Sequence, residues 1–228
     1  MDNSRRIGVA VLAVFVMAGI AVLPCQAGEN GWSESSTGWW GDFPGRKAAF
    51  SDNGMSAELD MAPGTGIAFE RMGAWPASTG ASLRMAADNV NATGNDYVPS
   101  GVVFPVSVTF VFGEDSLELG AGARVKLFFR RLWSGFPPSG IRLTYAWGNR
   151  VPTGSMYRLE EEETVFVIAG SEEAGKEVSA TRRLADDFLA AYGRAPKGKV
   201  TRVVVRAQRP SGEKSPLGVR VSLGIPGN

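Results

Sequence analysis

The side chains that could do chemistry in this chain are carboxylates, arginines and aromatic rings. The sequence contains no histidine and a single cysteine, Cys25, which lies in an N-terminal segment that we expect to be removed. These absences exclude His- and Cys-based catalytic triads, thiol redox chemistry and the common zinc, haem and iron–sulfur sites. We therefore assign no catalytic residue, and we predict no metal and no cofactor.

The densest group of carboxylates is the run from Glu160 to Glu163. Such oxygen ligands could hold calcium, but the run lacks the alternating Asp, Asn and Gly of a dedicated calcium loop. A solvated entrance to a strand is the preferred interpretation. Other acids could supply the two carboxylates of a glycosidase, which must lie about 5 to 10 Å apart. These are Asp52, Asp60, Asp88, Asp96, Asp115 and Glu118.

Aromatic side chains cluster in two Gly- and Pro-containing segments. Exposed rings stack on the apolar faces of sugars, and a neighbouring arginine could meet an anionic glycan or a lipid headgroup. Buried rings would instead pack at a sheet edge, which is the favoured role for the N-terminal cluster. The N-terminal cluster also includes Trp32, Phe43 and Phe50. Our candidate ligand-binding residues are Trp39, Trp40, Arg131, Trp133 and Phe136.

The first 27 residues are typical of an export signal. Arg5 and Arg6 precede an apolar run from Ile7 to Leu23, and Cys25-Gln26-Ala27 places small residues at positions −3 and −1 of a cut before Gly28. We predict residues 1–27 as a cleaved signal peptide and a periplasmic or secreted product. Retention as an anchor is the alternative, because the run approaches the length of a membrane span.

The composition after residue 27 favours one β-rich domain over residues 28–228. The chain has 24 basic and 23 acidic side chains, and removing Asp2, Arg5 and Arg6 balances the two. A nucleic-acid partner therefore loses its electrostatic basis. The 29 glycines and 13 prolines indicate many turns, and no apolar run after the signal is long enough to span a membrane.

Period-two alternation of apolar and polar residues predicts at least seven strands. Met55, Ala57, Leu59 and Met61, for example, alternate with polar residues. The other strands are predicted at residues 104–112, 124–130, 141–147, 164–169, 200–207 and 217–223, with 67–71 and 82–87 as weaker candidates. Short amphipathic strands must bury their apolar faces against each other. The predicted fold is a mainly β, antiparallel, two-sheet sandwich of jelly-roll type.

One segment has a helical period instead. Leu184, Phe188, Ala191 and Tyr192 recur at steps of three and four residues between Ser179 and Tyr192, with Gly193 as a left-handed stop. We predict one helix near 179–192, packed over a sheet. Its charged residues would form a solvated face in which Arg182 pairs with Asp186.

Several of these segments together resemble the bacterial exported family called domain of unknown function 3047. The resemblance rests on Leu143-Thr144-Tyr145-Ala146-Trp147-Gly148, on the apolar strand from Val165 to Ser171, and on the helix from Arg182 to Phe188 followed by Tyr192-Gly193. It extends from about Val102 to about Leu223. Paired aspartates of the family are replaced by Val102-Val103-Phe104-Pro105, and its later acidic segment by residues 205–211. The family has no established activity, so the resemblance implies export and a compact β-rich domain.

These observations favour a non-catalytic binding or envelope-associated module whose partner is a glycan or another envelope component. A carboxylate-dependent glycan hydrolase or lyase is the alternative, and a structural protein-interaction domain is a third. A deep cleft holding two acids would favour the enzyme. A strip of exposed aromatic rings would favour glycan binding, and an apolar patch would favour a protein partner.

Overall fold

The residues that the structure describes form two packed β-sheets and one α-helix. The computed structural model describes residues 26–27, 29–37, 47–97, 103–117 and 140–226. The strands are β1 Gln26–Ala27, β2 Trp32–Thr37, β3 Lys47–Ser51, β4 Gly54–Met61, β5 Thr65–Pro76, β6 Gly80–Ala87, β7 Val106–Phe112, β8 Arg142–Trp147, β9 Met156–Glu160, β10 Glu163–Ala169, β11 Glu177–Arg183, β12 Lys199–Arg209 and β13 Leu217–Gly224. The helix α1 spans Leu184–Tyr192.

The two sheets confirm the predicted sandwich. The larger sheet has the strand order β1-β2-β5-β12-β7-β8-β10-β9, and the smaller one has the order β11-β6-β13-β4-β3. Neighbouring strands are antiparallel except β8 and β10, which run parallel. Strands distant in sequence lie side by side, as β13 does between β4 and β6.

Alternation along the strands builds the core between the sheets. In β4 and β13 every second side chain is buried, and the buried residues face those of the larger sheet. The largest fully buried side chains include Trp32, Trp75, Trp147 and Tyr145. A second, smaller apolar cluster includes Phe104, Ala146, Val151, Val165 and Val167. Residues 146 and 165 lie on the outer side of the larger sheet, because their neighbours Tyr145 and Phe166 point into the main core.

The predicted helix exists, but its N-terminal end was placed wrongly. Residues 177–183 form β11, which pairs with β6 over seven consecutive residues, and the helix begins only at Leu184. Exposed and half-buried residues alternate along this strand. The two-residue period of the strand therefore ends at Arg183, and the helical period begins at Leu184. Gly193 ends the helix in the left-handed conformation, with φ 69°, as predicted.

The predicted charge pairing of the helix is also corrected. Asp187 is buried, so the charged residues do not form a uniformly solvated face. Arg182, at the end of β11, binds Asp187 instead of Asp186. Asp186 lies 3.9 Å from Arg183 in an exposed pair.

Most strand predictions are confirmed, and the structure adds strands that lack a clear apolar alternation. The two weaker candidates are the full strands β5 and β6, whereas β1, β2, β3, β9 and β11 are not among the predicted strands. The predicted strand at 124–130 lies outside the described residues. None of the helices in the described part of the chain has the length and apolar character required to cross a membrane.

Candidate functional site

A shallow trough lies on the outer face of the five-stranded sheet. It encloses about 680 Å³ and crosses β3, β4, β13, β6 and β11. Its polar lining residues face outward, because the alternate positions of the same strands face the core. The polar side chains of the trough are Lys47, Ser56, Glu58, Arg84, Glu177, Arg220 and Ser222.

Strand register arranges these side chains in two rows across the sheet. One row runs Lys47, Glu58, Arg220, Ala86 and Glu177, and the next runs Ala49, Ser56, Ser222, Arg84 and Ser179. The second row has only small side chains on β3, β4 and β13. It therefore forms a low floor, and the charged residues of the first row stand beside it.

The charged residues of the trough differ in whether they have partners. Lys47 lies 3.8 Å from Glu58 in an exposed pair. Arg84 and Arg220 are also exposed, but neither forms a hydrogen bond or ion pair with any residue that the structure describes. Their guanidinium donors are therefore available to a ligand.

An acidic cavity adjoins the trough beyond Arg220. It encloses about 250 Å³ and is lined by Glu58, Asp60 and Asp88 around Gly218. Asp88 packs so closely over Gly218 that an added Cβ would lie 2.2 Å from its carboxylate oxygen. The two cavities place carboxylates on one side of Arg220 and the hydroxyl of Ser222 on the other.

The outer face of the larger sheet carries a second cluster of polar residues. Glu160 and Glu163 both bind the Nη2 atom of Arg142, Glu163 at 3.2 Å. Thr144 donates a hydrogen bond of 2.7 Å to Glu163, and its hydroxyl lies 2.9 Å from that of Thr109. The predicted solvated strand entrance at 160–163 is therefore a hairpin whose end residues form a half-buried ion-pair network. Arg142 lies between the two carboxylates and compensates their charges.

Asp96, one of the acids considered above, has a structural role. It is 1% exposed and accepts hydrogen bonds from the backbone amides of Asn149, Arg150 and Val151 and from the Asn149 side chain. Four donors occupy both of its oxygens, so the buried carboxylate fixes the loop after β8.

A third polar cluster joins the helix to the core. The hydroxyl of Tyr145 donates a 2.6 Å hydrogen bond to Asp187, which also accepts bonds of 2.9 and 2.5 Å from Arg182. Burial, reinforced by Asp187, raises the pKa of Tyr145 far above its ordinary 10.0. Although burial acts to lower the pKa of Arg182, the hydrogen bond to Asp187 raises it above its ordinary value. These shifts keep the tyrosine neutral and the arginine charged.

The exposed aromatic surface of the described residues is small. Tyr97 is 62% exposed and packs at 5.4 Å from the ring of Tyr157. Trp32 is 1% exposed and stacks on Phe50, so these two members of the N-terminal cluster have the structural role. The candidate binding residues Trp39, Trp40, Arg131, Trp133 and Phe136 lie outside the described residues, as do Phe43 and Glu118.

The trough is a candidate site that the local sequence does not indicate. Ser56 and Glu58 are the polar residues that alternate with Met55, Ala57 and Leu59, and no local pattern links them to Arg84, Glu177 or Arg220. Their alternation with apolar residues was the only available signal. Within the described parts of the chain, no three Asp or Glu side chains converge in a metal-binding arrangement.

Comparison with known proteins identifies a family and a number of distant structural likenesses, three of which follow. No curated protein matches the chain. The catalytic domain of Humicola grisea Cel12A is similar at 10% identity and a TM-score of 0.44, covering 89% of this chain and 97% of that one. The xyloglucanase domain of NopAA from Sinorhizobium fredii has 10% identity and a TM-score of 0.38, covering 88% and 96%. Trichoderma harzianum endoglucanase 3 has 10% identity and a TM-score of 0.36, covering 90% and 96%.

These structural likenesses are too distant to bear on chemistry, whereas the family match confirms the resemblance noted in the sequence. The match begins before the segment that carried the resemblance and ends at Arg209, the last residue of β12. The family model described as "protein of unknown function (DUF3047)" covers residues 81–209, which is more than half of the chain, and the chain belongs to that family.

Proposed function

We propose that the protein is an exported, non-catalytic module that binds glycans on the outer face of its five-stranded sheet. The observation that carries the proposal is the trough, an open surface lined by basic, acidic and hydroxyl side chains. It therefore offers both hydrogen-bond donors and hydrogen-bond acceptors. A sugar chain presents hydroxyl groups that are both donors and acceptors. Glu58 and Glu177 can accept from them, and Ser56, Ser222, Arg84 and Arg220 can donate to them.

The spacing of the trough's carboxylates favours binding over hydrolysis. Glu58 on β4 and Glu177 on β11 are separated by β13 and β6. Three strand spacings place their backbones about 14 Å apart. The two carboxyl groups of a glycosidase must lie about 5 to 10 Å apart across the scissile bond, a separation that Glu58 and Glu177 could reach only if both side chains leaned toward each other over β13 and β6.

A glycan array with the full-length chain, expressed so that its own N-terminal segment is present, tests this proposal. We expect binding to at least one glycan class, and we expect Ser222→Trp to abolish it, because a large ring would fill the floor of the trough. Arg206→Gln, at an exposed position of β12 in the other sheet, is the matched control. Binding that survives Ser222→Trp would exclude the trough, and no binding to any glycan would exclude the function.

The cluster around Arg142 supports a second candidate, a carboxylate-dependent hydrolase or lyase. Glu160 and Glu163 contact the same nitrogen atom of Arg142, so their carboxylates are close neighbours. Both carboxylates are already engaged by that arginine, and Glu163 also accepts a hydrogen bond from Thr144, so neither is free to meet the oxygen of a scissile bond. We therefore expect no new reducing ends when the protein is incubated with the glycans that it binds. Release of reducing ends by the wild-type chain and its loss in Glu163→Gln would establish the enzyme instead.

A structural protein-interaction domain is the third candidate. The exposed large apolar side chains of the described residues are Met72, Tyr97, Met156 and Leu189. They come from β5, a loop, β9 and α1. Capture of a protein partner whose binding is lost on substituting Leu189 but unaffected by Ser222→Trp would favour this function.

A further inference from the structure

We infer that the ligand of the trough is an acidic glycan, and that Arg84 and Arg220 together bind one uronate carboxylate above Ser222. The inference rests on the proposed glycan-binding function and specifies the chemical class of the ligand. Its basis is a pair of unpartnered arginines held next to one another by the register of β6 and β13.

The register fixes the relative position of the two arginines. Ser222 lies directly opposite Arg84, and Arg220 lies opposite Ala86, two residues away on each strand. Arg84 and Arg220 are therefore diagonal neighbours on one face, with backbones about 7 to 8 Å apart. A guanidinium on a flexible three-carbon stem can cover half of that distance, so both can reach one anion placed between them.

The chemistry of the guanidinium group points to a planar anion. Each guanidinium presents parallel N–H donors that match the two oxygens of a carboxylate, and such charge-assisted bonds are about twice as strong as neutral ones. The described residues leave these donors without partners in both arginines. The hydroxyl of Ser222 lies in the same row as Arg84 and supplies a further donor.

The surrounding charges select a ligand with few negative charges and many hydroxyls. Glu58 and Glu177 flank the arginines, and Asp60 and Asp88 lie beyond Arg220 around the adjoining cavity. These carboxylates would repel a densely sulfated polymer or an anionic bilayer. They would accept hydrogen bonds from sugar hydroxyls, which a polyuronate presents beside its single carboxylate on each ring.

Titration calorimetry with oligogalacturonate and with its methyl ester tests the inference. The two probes share one backbone and differ in charge, because esterification removes the negative charge of each carboxylate. We expect the full-length chain to bind the acid at least about tenfold more tightly than the ester. We also expect Arg84→Gln and Arg220→Gln each to weaken binding of the acid by about tenfold, with little effect on the ester.

Arg206→Gln again serves as the control, since Arg206 is an exposed arginine on the other sheet. It should leave the affinity unchanged, and thermal unfolding should show that all three variants remain folded. Equal binding of acid and ester would overturn the acidic ligand while leaving glycan binding intact. If neither probe binds, the acidic-ligand inference is overturned. If no glycan of the array binds either, the proposed glycan-binding function is overturned with it. Tighter binding of dextran sulfate than of oligogalacturonate would overturn the choice of carboxylate over sulfate.

Discussion

Asp187 has a structural role, which its hydrogen-bond partners Tyr145 and Arg182 define. It accepts one hydrogen bond from Tyr145 and two from Arg182. Arg182 also lies over the rings of Tyr145 and Phe166, at 5.4 and 5.3 Å. The helix, β11 and the core of the larger sheet are thus joined through one carboxylate. In all three hydrogen bonds the carboxylate is the acceptor.

Asp187→Asn should therefore destabilise the protein by about 2 kcal/mol, because an amide presents a donor to groups that are themselves donors. Urea unfolding followed by circular dichroism would measure the change. Asp186→Asn is the matched control, since its carboxylate is exposed and only 3.9 Å from an exposed Arg183. That variant should stay within about 0.5 kcal/mol of wild type. Equal losses in the two variants would contradict the assigned role.

Three buried or half-buried tyrosines determine how the free energy of unfolding changes at alkaline pH. Burial is the main cause that raises the pKa values of Tyr145, Tyr157 and Tyr192. Above the ordinary value of 10.0, these tyrosines lose their protons in the unfolded chain but keep them in the folded one. The unfolded state then binds fewer protons, so the free energy of unfolding must fall as the pH rises above about 10.

Tyr145→Phe should reduce that dependence, because one retained proton contributes up to about 1.4 kcal/mol per pH unit. Urea unfolding at intervals between pH 8 and pH 11.5 would give the slope for each protein. Although the variant also loses the bond to Asp187, that loss lowers its stability at every pH and leaves the slope as the informative quantity. An unchanged slope would show that Tyr145 titrates normally in the folded state.

At the scale of elements, residue periodicity predicts the helix that begins at Leu184 but not where it begins. The steps between Leu184, Phe188 and Tyr192 and the stop at Gly193 predicted the helix and its end correctly. Its beginning was misplaced because Ser179 and Thr181 are good N-cap residues and β11 is short and polar. Pairing with β6 decides the structure of 177–183, and that partner lies almost a hundred residues away in sequence.

Gly193→Ala should destabilise the helix end by about 1 kcal/mol. The residue has φ 69°, and nothing lies within 4 Å of an added Cβ, so the cost is conformational rather than steric. Gly80→Ala at the start of β6 is the control, because its backbone is in an ordinary region and its Cβ would meet only the Arg182 carbonyl, at 3.7 Å. Thermal melts should separate the two variants, and a tolerated Gly193→Ala would contradict the capping role.

At the scale of the whole molecule, the fold was predictable because burial alternates clearly along strands such as β4 and β13. Met55 to Met61 and Leu217 to Leu223 each alternate clearly, and two sheets are the economical way to bury many such faces. The trough was not predictable, because it depends on which strands become neighbours. Nothing in the local sequence places Arg220 between Glu58 and Ala86. The candidate residues chosen by aromatic content also lie outside the described part of the chain.

The most direct test of the central claim is a ¹H–¹⁵N NMR titration of the full-length chain with oligogalacturonate. If the trough binds the glycan, amide shifts should concentrate on β4, β6 and β13, around Ser56, Arg84 and Ser222. The methyl ester should shift the same amides only at higher concentration. Shifts centred on Glu163 and Arg142 of the larger sheet, or no shifts with either probe, would contradict glycan binding at the trough.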